Sequence, residues 1–336
     1  MWALNFLLVY PVKGTVAGRN GDRPPGERGI AMILALLVLA LLVAMILEFD
    51  ADARRELKEA AAFRDGLKAT TLGQAGVQAA RAILQQDSQL EQRTGQAFDA
   101  LTDIWATPIT NYQLGDGVIS AGLTDERGKL NLNDLANLPD LKIREIRIKK
   151  LKRLFDLVQV DPRLVDAVAD WVDADDVAET NGAETPYYQS LRPAYKAANG
   201  PMQTLSDLYL LKGFTDEVVQ RLTPYVTVYP STGDGWINLN TADPVVLQAL
   251  DPRISTAMAQ EIIQARPFRT IQDADRVSGF EPIAKELRLT SGYQIKTDLF
   301  SVRVSVRVQE VTKVAKAVLH RQGAQGDSKV LYFRIE

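Results

Sequence analysis

The stretch IAMILALLVLALLVAMIL, residues 30–47, decides the organisation of this chain. It contains no charged residue, and as a helix it would extend about 27 Å, close to the thickness of the hydrocarbon core of a bilayer. Basic residues outnumber acidic ones before it, whereas Glu48, Asp50 and Asp52 follow it directly. The stretch therefore predicts one transmembrane helix, with the body of the chain outside the cytoplasm.

The junction before this stretch is unlike that of a secretory signal. No small-residue cleavage site follows the apolar run; instead Gly29 stands between a charged residue and Ile30. This junction resembles a type IV prepilin-like leader, which the prepilin peptidase cuts directly after the glycine. The resemblance implies that residues 1–29 are a leader and that the apolar helix is kept as the new N-terminus. The alternative is an uncleaved signal anchor.

The amino-acid composition is that of an ordinary folded protein with one apolar span. The chain has 336 residues, of which 46% are hydrophobic and 24% charged, a net charge of −3 and no cysteine. A net negative charge does not favour nucleic acid as a partner, and the lack of cysteine excludes disulfides and thiolate metal sites, as suits a periplasmic protein. The single histidine, His320, does not belong to a known motif with a nucleophile, and the sequence contains no phosphate-binding loop. We therefore expect that this chain is not an enzyme.

Periodicity predicts an α+β fold. The helix continues in water to about residue 92, with an apolar stripe that would lie on a sheet. Alternating apolar and polar residues predict antiparallel strands on both sides of a helical block at residues 134–291. The strands are predicted at residues 118–124, 129–132, 293–296, 300–309, 313–319 and 330–335. We therefore expect an all-α domain, residues 134–291, inserted into a pilin-like domain made of residues 48–133 and 292–336.

The helical block contains an internal sequence repeat. The segments GKLNLN (128–133), DPRL (161–164) and PMQTLSD (201–207) return as GWINLN (235–240), DPRI (251–254) and PFRTIQD (267–273). The second copy looks like a helix-hairpin-helix unit, so two such repeats are predicted. Units of this kind often bind DNA through glycines in the hairpin, but Asp161 and Asp251 occupy these hairpins and would repel phosphate. We favour scaffolding, and keep a membrane-anchored DNA-binding protein as the alternative.

The first copy is enlarged by an acidic segment. DWVDADD (170–176) is followed by NGAE (181–184), which places dense carboxylates, a glycine turn and a distant glutamate in one loop. Several oxygen ligands from one flexible loop are what calcium requires. The spacing is not that of an EF-hand, and the alternative interpretation is a solvated acidic loop.

Six segments, taken in order, resemble the K-type minor pseudopilin of the type II secretion system. They are DERGKLNLN (125–133), DWVDADD (170–176), NGAETPYY (181–188), ANGPMQTLSDLYLLKGF (198–214), RLTPYVTVYP (221–230) and INLNTADPVVLQAL (237–250). Cleavage after Gly29 would place Leu34 at the fifth mature position, where most pilins have glutamate and the K type does not.

This resemblance implies a function and a site. It implies a tip subunit of a pseudopilus, anchored by one helix in the bacterial inner membrane with its body in the periplasm. Its partners would be the I-type and J-type minor pseudopilins, the pseudopilus below them and the prepilin peptidase, and no nucleic acid. It implies calcium held by Asp173, Asp175 and Glu184, with Asp170, Asp176 and Asn199 as further candidates.

Overall fold

The computed structural model describes residues 25–336, except residues 137, 139, 291 and 324–325. The chain divides into two units, residues 1–61 and 62–336. The helix α1, Pro25–Thr94, contributes to both. Most of the predicted leader, residues 1–24, lies outside the described residues.

The first unit contains the apolar part of α1. From Gly29 onward its side chains are exposed along the whole of residues 30–47, and the mean hydropathy over 18 residues reaches 3.3. By length and composition this helix can cross a membrane. The prediction of one continuous helix is confirmed, since α1 runs without a break from the apolar stretch to Thr94.

The second unit holds the strands and the remaining helices. The strands are β1 (Ile109–Leu114), β2 (Gly117–Asp125), β3 (Leu130–Asn131), β4 (Val226–Thr227), β5 (Ile237–Asn238), β6 (Tyr293–Gln294), β7 (Leu299–Val308), β8 (Val311–Gln322) and β9 (Asp327–Ile335). The helices are α2 (Leu141–Leu157), α3 (Leu164–Val172), α4 (Thr185–Gln189), α5 (Asp216–Leu222), α6 (Pro244–Leu250), α7 (Thr256–Gln264) and α8 (Glu281–Leu289).

A five-stranded sheet packs on the second half of α1. Its order is β1-β2-β7-β8-β9 and all neighbours are antiparallel. Alternate residues of β7, among them Val302 and Val304, are buried against α1 residues such as Val77. Gly76 lets the helix approach the sheet closely, because a Cβ there would lie 2.6 Å from Cγ1 of Val304. The predicted apolar stripe on an antiparallel sheet is confirmed.

The helices α2 to α8 have a hydrophobic core of their own. This core begins at Leu130 and ends at Ile295, and it contains large buried side chains such as Phe155, Tyr188 and Phe280. A separate apolar cluster joins α1 to the sheet. The chain therefore leaves the sheet after β2, builds a second core, and returns to the sheet at β7.

Two segments of the helical part each begin and end with a short strand, and the two strands of each segment pair in parallel. β3 pairs with β4 (Leu130 opposite Val226), and β5 pairs with β6 (Ile237 opposite Tyr293). In each segment a buried asparagine, Asn133 or Asn240, makes a two-way hydrogen bond with a distant backbone. The segments that echo each other in sequence thus also share these contacts.

Two strand predictions were wrong, and three strands, β1, β4 and β5, were missed. Residues 129–132 and 293–296 were expected as antiparallel strands, but only Leu130–Asn131 and Tyr293–Gln294 are extended, and both pair in parallel within the helical part. Alternation over four residues shows an extended backbone but not the neighbour with which it pairs. The strand β1 was missed because all its residues are exposed, so it has no alternating pattern.

Candidate metal centre

The centre lies where α3 ends and α4 begins. Helix α3 stops at Val172, and Asp173 is already extended (φ −81°, ψ 171°). The acidic loop then runs to Glu184, which stands directly before α4, with proline in the first turn of that helix. Proline is favoured in the first turn of a helix, and Glu184 itself is still extended (φ −110°, ψ 178°), so the loop ends at Glu184.

The fold brings together the three residues that were the main candidates. Carboxylate oxygens of Asp173, Asp175 and Glu184 all lie within 4.8 Å of one another. Glu184 is only 4% exposed, whereas Asp175 lies at the surface. Three converging carboxylates with one open side form an arrangement that can hold a hard divalent cation.

Several oxygens at this centre are buried without a hydrogen-bond donor. In the part of the chain that the structure describes, no partner is found for Oδ1 of Asp173, for Oε1 and Oε2 of Glu184, or for Oδ1 of Asn199. Leaving a buried carboxylate oxygen unpaired costs free energy that a bound cation would offset. The unpaired atoms are oxygens of the type that calcium prefers, so the donor set fits this ion.

The electrostatics of the centre lead to the same conclusion. Burial, together with the charges of Asp170 and Asp173, raises the pKa of Glu184 to about 7. Burial also raises the pKa of Asp173 to about 6, with a contribution from Asp175 that Arg144 partly opposes. These carboxylates repel one another when ionised, and a divalent cation would remove that repulsion.

The three further candidates lie around the same loop. Asp170 is fully buried and accepts the backbone N–H of Glu179 at 3.1 Å. Oδ1 of Asp176 accepts from the side-chain amide of Asn199 at 2.9 Å, and that amide also reaches the carbonyl of Asp175 at 3.1 Å. In this structure Asp170 and Asp176 shape the loop, while Oδ1 of Asn199 is buried without a partner among the described residues.

Sequence reasoning missed the side chains that hold the loop from outside. Arg144 of α2 pairs with Asp173 (Nη2 to Oδ2, 3.1 Å) and with Glu179 (Nη1 to Oε1, 2.8 Å). Lys212 donates to the carbonyl of Gly182 at 2.9 Å. These partners lie about thirty residues from the loop in sequence, so no local motif signals them.

The two hairpins of the helical part are internally neutralised. Arg163 pairs with Asp161 at 2.7 Å. Arg253 pairs with Asp251 at 2.8 Å and also with Glu286. Each arginine is already engaged by carboxylates, an arrangement that does not favour contact with phosphates and agrees with a scaffolding role.

Two protein-family models match this chain. Two models described as type II secretion system (T2SS), protein K, match residues 128–231 and 237–296. These two ranges contain the strand pairs β3–β4 and β5–β6, respectively.

Individual relatives cover most of the chain. It is 29% identical over 316 residues to type II secretion system protein K of Pseudomonas aeruginosa, covering 91% of this chain and 92% of that protein. It is 30% identical over 255 residues to type II secretion system protein K of Klebsiella pneumoniae, covering 71% and 75%.

The fold is similar to that of a solved structure. A chain in the crystal structure of the GspK-GspI-GspJ complex from the enterotoxigenic Escherichia coli type 2 secretion system matches with a TM-score of 0.71 and 21% identity, covering 83% of this chain and 99% of that one. At this identity the match shows the fold, a long N-terminal helix on an antiparallel sheet with additional helices.

Proposed function

This chain belongs to the type II secretion system protein K family, and on that premise we propose that it is a minor pseudopilin at the tip of the pseudopilus. There it supports protein export across the outer membrane, and initiation and length control of the pseudopilus. The observation that carries the proposal is an apolar helix continuous with the helix that packs on the sheet. A subunit built in this way is carried into a fibre by its own membrane anchor.

The second core supports a position at the end of the fibre. We propose that residues 134–291 form a domain inserted between residues 48–133 and 292–336, and the two separate apolar cores support this division. A domain of this size would obstruct stacking in the middle of a fibre. Leu34 supports the same position, because a tip subunit has no neighbour above it that would require a charge at this place.

The partners follow from the proposed position. The solved relative is part of a complex with GspI and GspJ. We propose that this chain binds its own I-type and J-type minor pseudopilins and sits on the pseudopilus below them. Its role is structural rather than catalytic, and its body lies in the periplasm with one span in the inner membrane.

The experiment on the whole proposal uses the full-length chain extracted in detergent from cells with and without an active prepilin peptidase. We expect the mass of a chain that begins at Ile30 only when the peptidase is active. The three full-length subunits, mixed in equal amounts, should co-elute as one species in size-exclusion chromatography with light scattering. A chain that keeps residues 1–29 with the active peptidase, or subunits that elute separately, would contradict the proposal.

We also propose that the acidic loop binds calcium through Asp173, Asp175 and Glu184, with Asn199, Asp170 and Asp176 around them. Four buried oxygens that have no hydrogen-bond partner within the described part of the chain support this assignment. A ligand bound only by the folded state raises its stability, by about 2.7 kcal/mol at a hundredfold excess over Kd. Calcium would fix the loop between α3 and α4 and thereby stiffen the proposed inserted domain.

Thermal unfolding of the full-length chain in detergent tests the calcium site. The unfolding temperature should be higher in calcium than in EGTA, and Glu184→Gln should remove most of this difference. The matched control is Glu261→Gln, because Glu261 is an exposed residue of α7 and lies outside the acidic loop. Equal unfolding temperatures in calcium and EGTA for the unmodified chain would exclude the site.

A further inference from the structure

A groove of about 420 Å³ lies between the outer face of the sheet and the helical part. On the sheet side, Arg303, Lys316 and Arg334 line it; on the other side are the segment 204–206, Thr223 and Tyr229. The valines of β7 are buried toward α1, so Arg303, which alternates with them, lies on the opposite face. We call this feature the basic groove.

Three cations of the groove lie in one row across neighbouring strands. Arg303 of β7 is directly opposite Lys316 of β8, and Lys316 is directly opposite Arg334 of β9. Like charges in such cross-strand positions destabilise a sheet. The row of cations therefore does not stabilise the sheet, and a negatively charged ligand is the simplest means of reducing the repulsion within it.

Glu336 shows how the row binds a carboxylate. Its Oε2 lies 2.9 Å from Nζ of Lys316, and its Oε1 lies 3.5 Å from Nε of Arg334. The other acidic residue of the groove, Glu126, is paired with Lys129 at 2.8 Å. Among the described residues no carboxylate lies within 4 Å of the Arg303 guanidinium, so the groove has a cation available for a carboxylate from another molecule.

We propose that the basic groove binds an acidic segment of a partner protein, with a carboxylate on Arg303. The hydroxyl group of Ser206 can bond to the peptide backbone of such a segment, whereas those of Thr204 and Thr223 already donate to Asp207 and to the carbonyl of Val219. A protein segment is favoured over nucleic acid because the chain as a whole carries a net charge of −3, which opposes a long polyanion. The inference does not depend on the tip role.

Fluorescence anisotropy with the full-length chain in a non-ionic detergent tests the groove. The probe is a labelled hexaglutamate peptide, and a Gly-Ser peptide of equal length is the reference. Saturable binding of hexaglutamate that weakens with salt is expected, because the contacts are exposed ion pairs. Arg303→Gln should weaken it about tenfold, and Arg303→Lys should keep most of it.

The matched control is Arg307→Gln. Arg307 is exposed on the same face of the same strand but does not line the groove, and it faces Thr312 instead of a cation. The Arg307→Gln variant should bind the hexaglutamate peptide as tightly as the unmodified chain does. An equal loss in Arg307→Gln and Arg303→Gln, or no binding of hexaglutamate, would overturn the proposal. Stronger binding of inorganic polyphosphate of equal charge would assign the groove to phosphates and overturn the choice of a protein segment.

Discussion

Asn133 and Met202 are joined by two hydrogen bonds that run in opposite directions. Nδ2 of Asn133 donates to the Met202 carbonyl at 2.9 Å, and the Met202 N–H donates to Oδ1 of Asn133 at 2.8 Å. Asn240 and Phe268 repeat this arrangement at 3.0 and 2.8 Å. Both asparagines are almost completely buried. Each one links the LNLN or INLN segment to a loop that follows much later in the chain.

Asn133→Ala should therefore lower the free energy of unfolding by about 3 kcal/mol, because it leaves the backbone groups of Met202 buried without partners. Asn240→Ala should act similarly in the other segment. The measurement is urea unfolding followed by tryptophan fluorescence. Gln220→Ala, an exposed position on α5, is the control and should change stability by less than about 0.5 kcal/mol. Equal losses at Asn133 and Gln220 would contradict this account.

Gly182→Ala should weaken calcium binding and lower stability. A Cβ at residue 182 would lie 1.9 Å from Oδ2 of Asp170, so the buried carboxylate and the loop would have to move. Isothermal titration with calcium measures the change in Kd. Gly66→Ala is the contrasting control: Gly66 lies inside α1, and apart from the neighbouring backbone of that helix no atom of the described residues lies within 4 Å of an added Cβ. That variant should gain about 0.5–1 kcal/mol and leave calcium binding unchanged. Unchanged calcium affinity in Gly182→Ala would contradict the site geometry.

Arg321 joins β8 to α1 through buried ion pairs. Its Nη1 lies 3.1 Å from Asp87 and 3.2 Å from Glu91, and its Nη2 pairs with Asp99. Arg321→Met should cost about 3–5 kcal/mol at pH 7, because buried carboxylates would be left without their cation. Chemical unfolding measures the loss, and Arg307→Met, which is exposed, should lose far less.

The cost of Arg321→Met should become smaller as the pH falls from 7 to 5. Burial raises the pKa values of Asp87 and Glu91, and Arg321 partly opposes this effect. The folded variant would take up protons that the unfolded chain does not hold at the same pH, so acid favours the folded form. A cost that is constant over this pH range would show that the carboxylates do not carry the effect.

Calcium affinity should depend on pH near neutrality. The pKa of Glu184 is raised to about 7, mainly by burial, from an ordinary value of 4.5. In the calcium-free form the folded state holds a proton that the unfolded chain releases, so stability falls as the pH rises from about 4.5 to 7. Calcium requires the ionised form, and its Kd should therefore increase as the pH falls from 8 to 6. Titration in two buffers with different ionisation enthalpies should show proton release at pH 6.5 and little at pH 8.5. A Kd independent of pH would contradict the role of Glu184.

The strands of the sheet illustrate how far sequence reasoning extends. FSVRVSVRVQ, residues 300–309, predicts a half-buried strand because valines alternate with polar residues, and β7 follows this pattern. The segments at Leu130 and Tyr293 also have an extended backbone, but their partners proved to be β4 and β5, which no local pattern identifies. Strand pairing is decided by the cores on which the segments lie, and those cores form only in the folded chain.

The sequence by itself determined the apolar stretch that is long enough to cross a membrane, the continuous helix, the α+β class and the acidic residues of one loop. These features depend on hydropathy, helical periodicity and residue chemistry, all of which are local. Only the tertiary structure decided that Arg144 and Lys212 hold that loop, and that Arg303, Lys316 and Arg334 stand in one row. Such relationships join residues far apart in the chain, and they exist only after burial of apolar surface has brought the segments together.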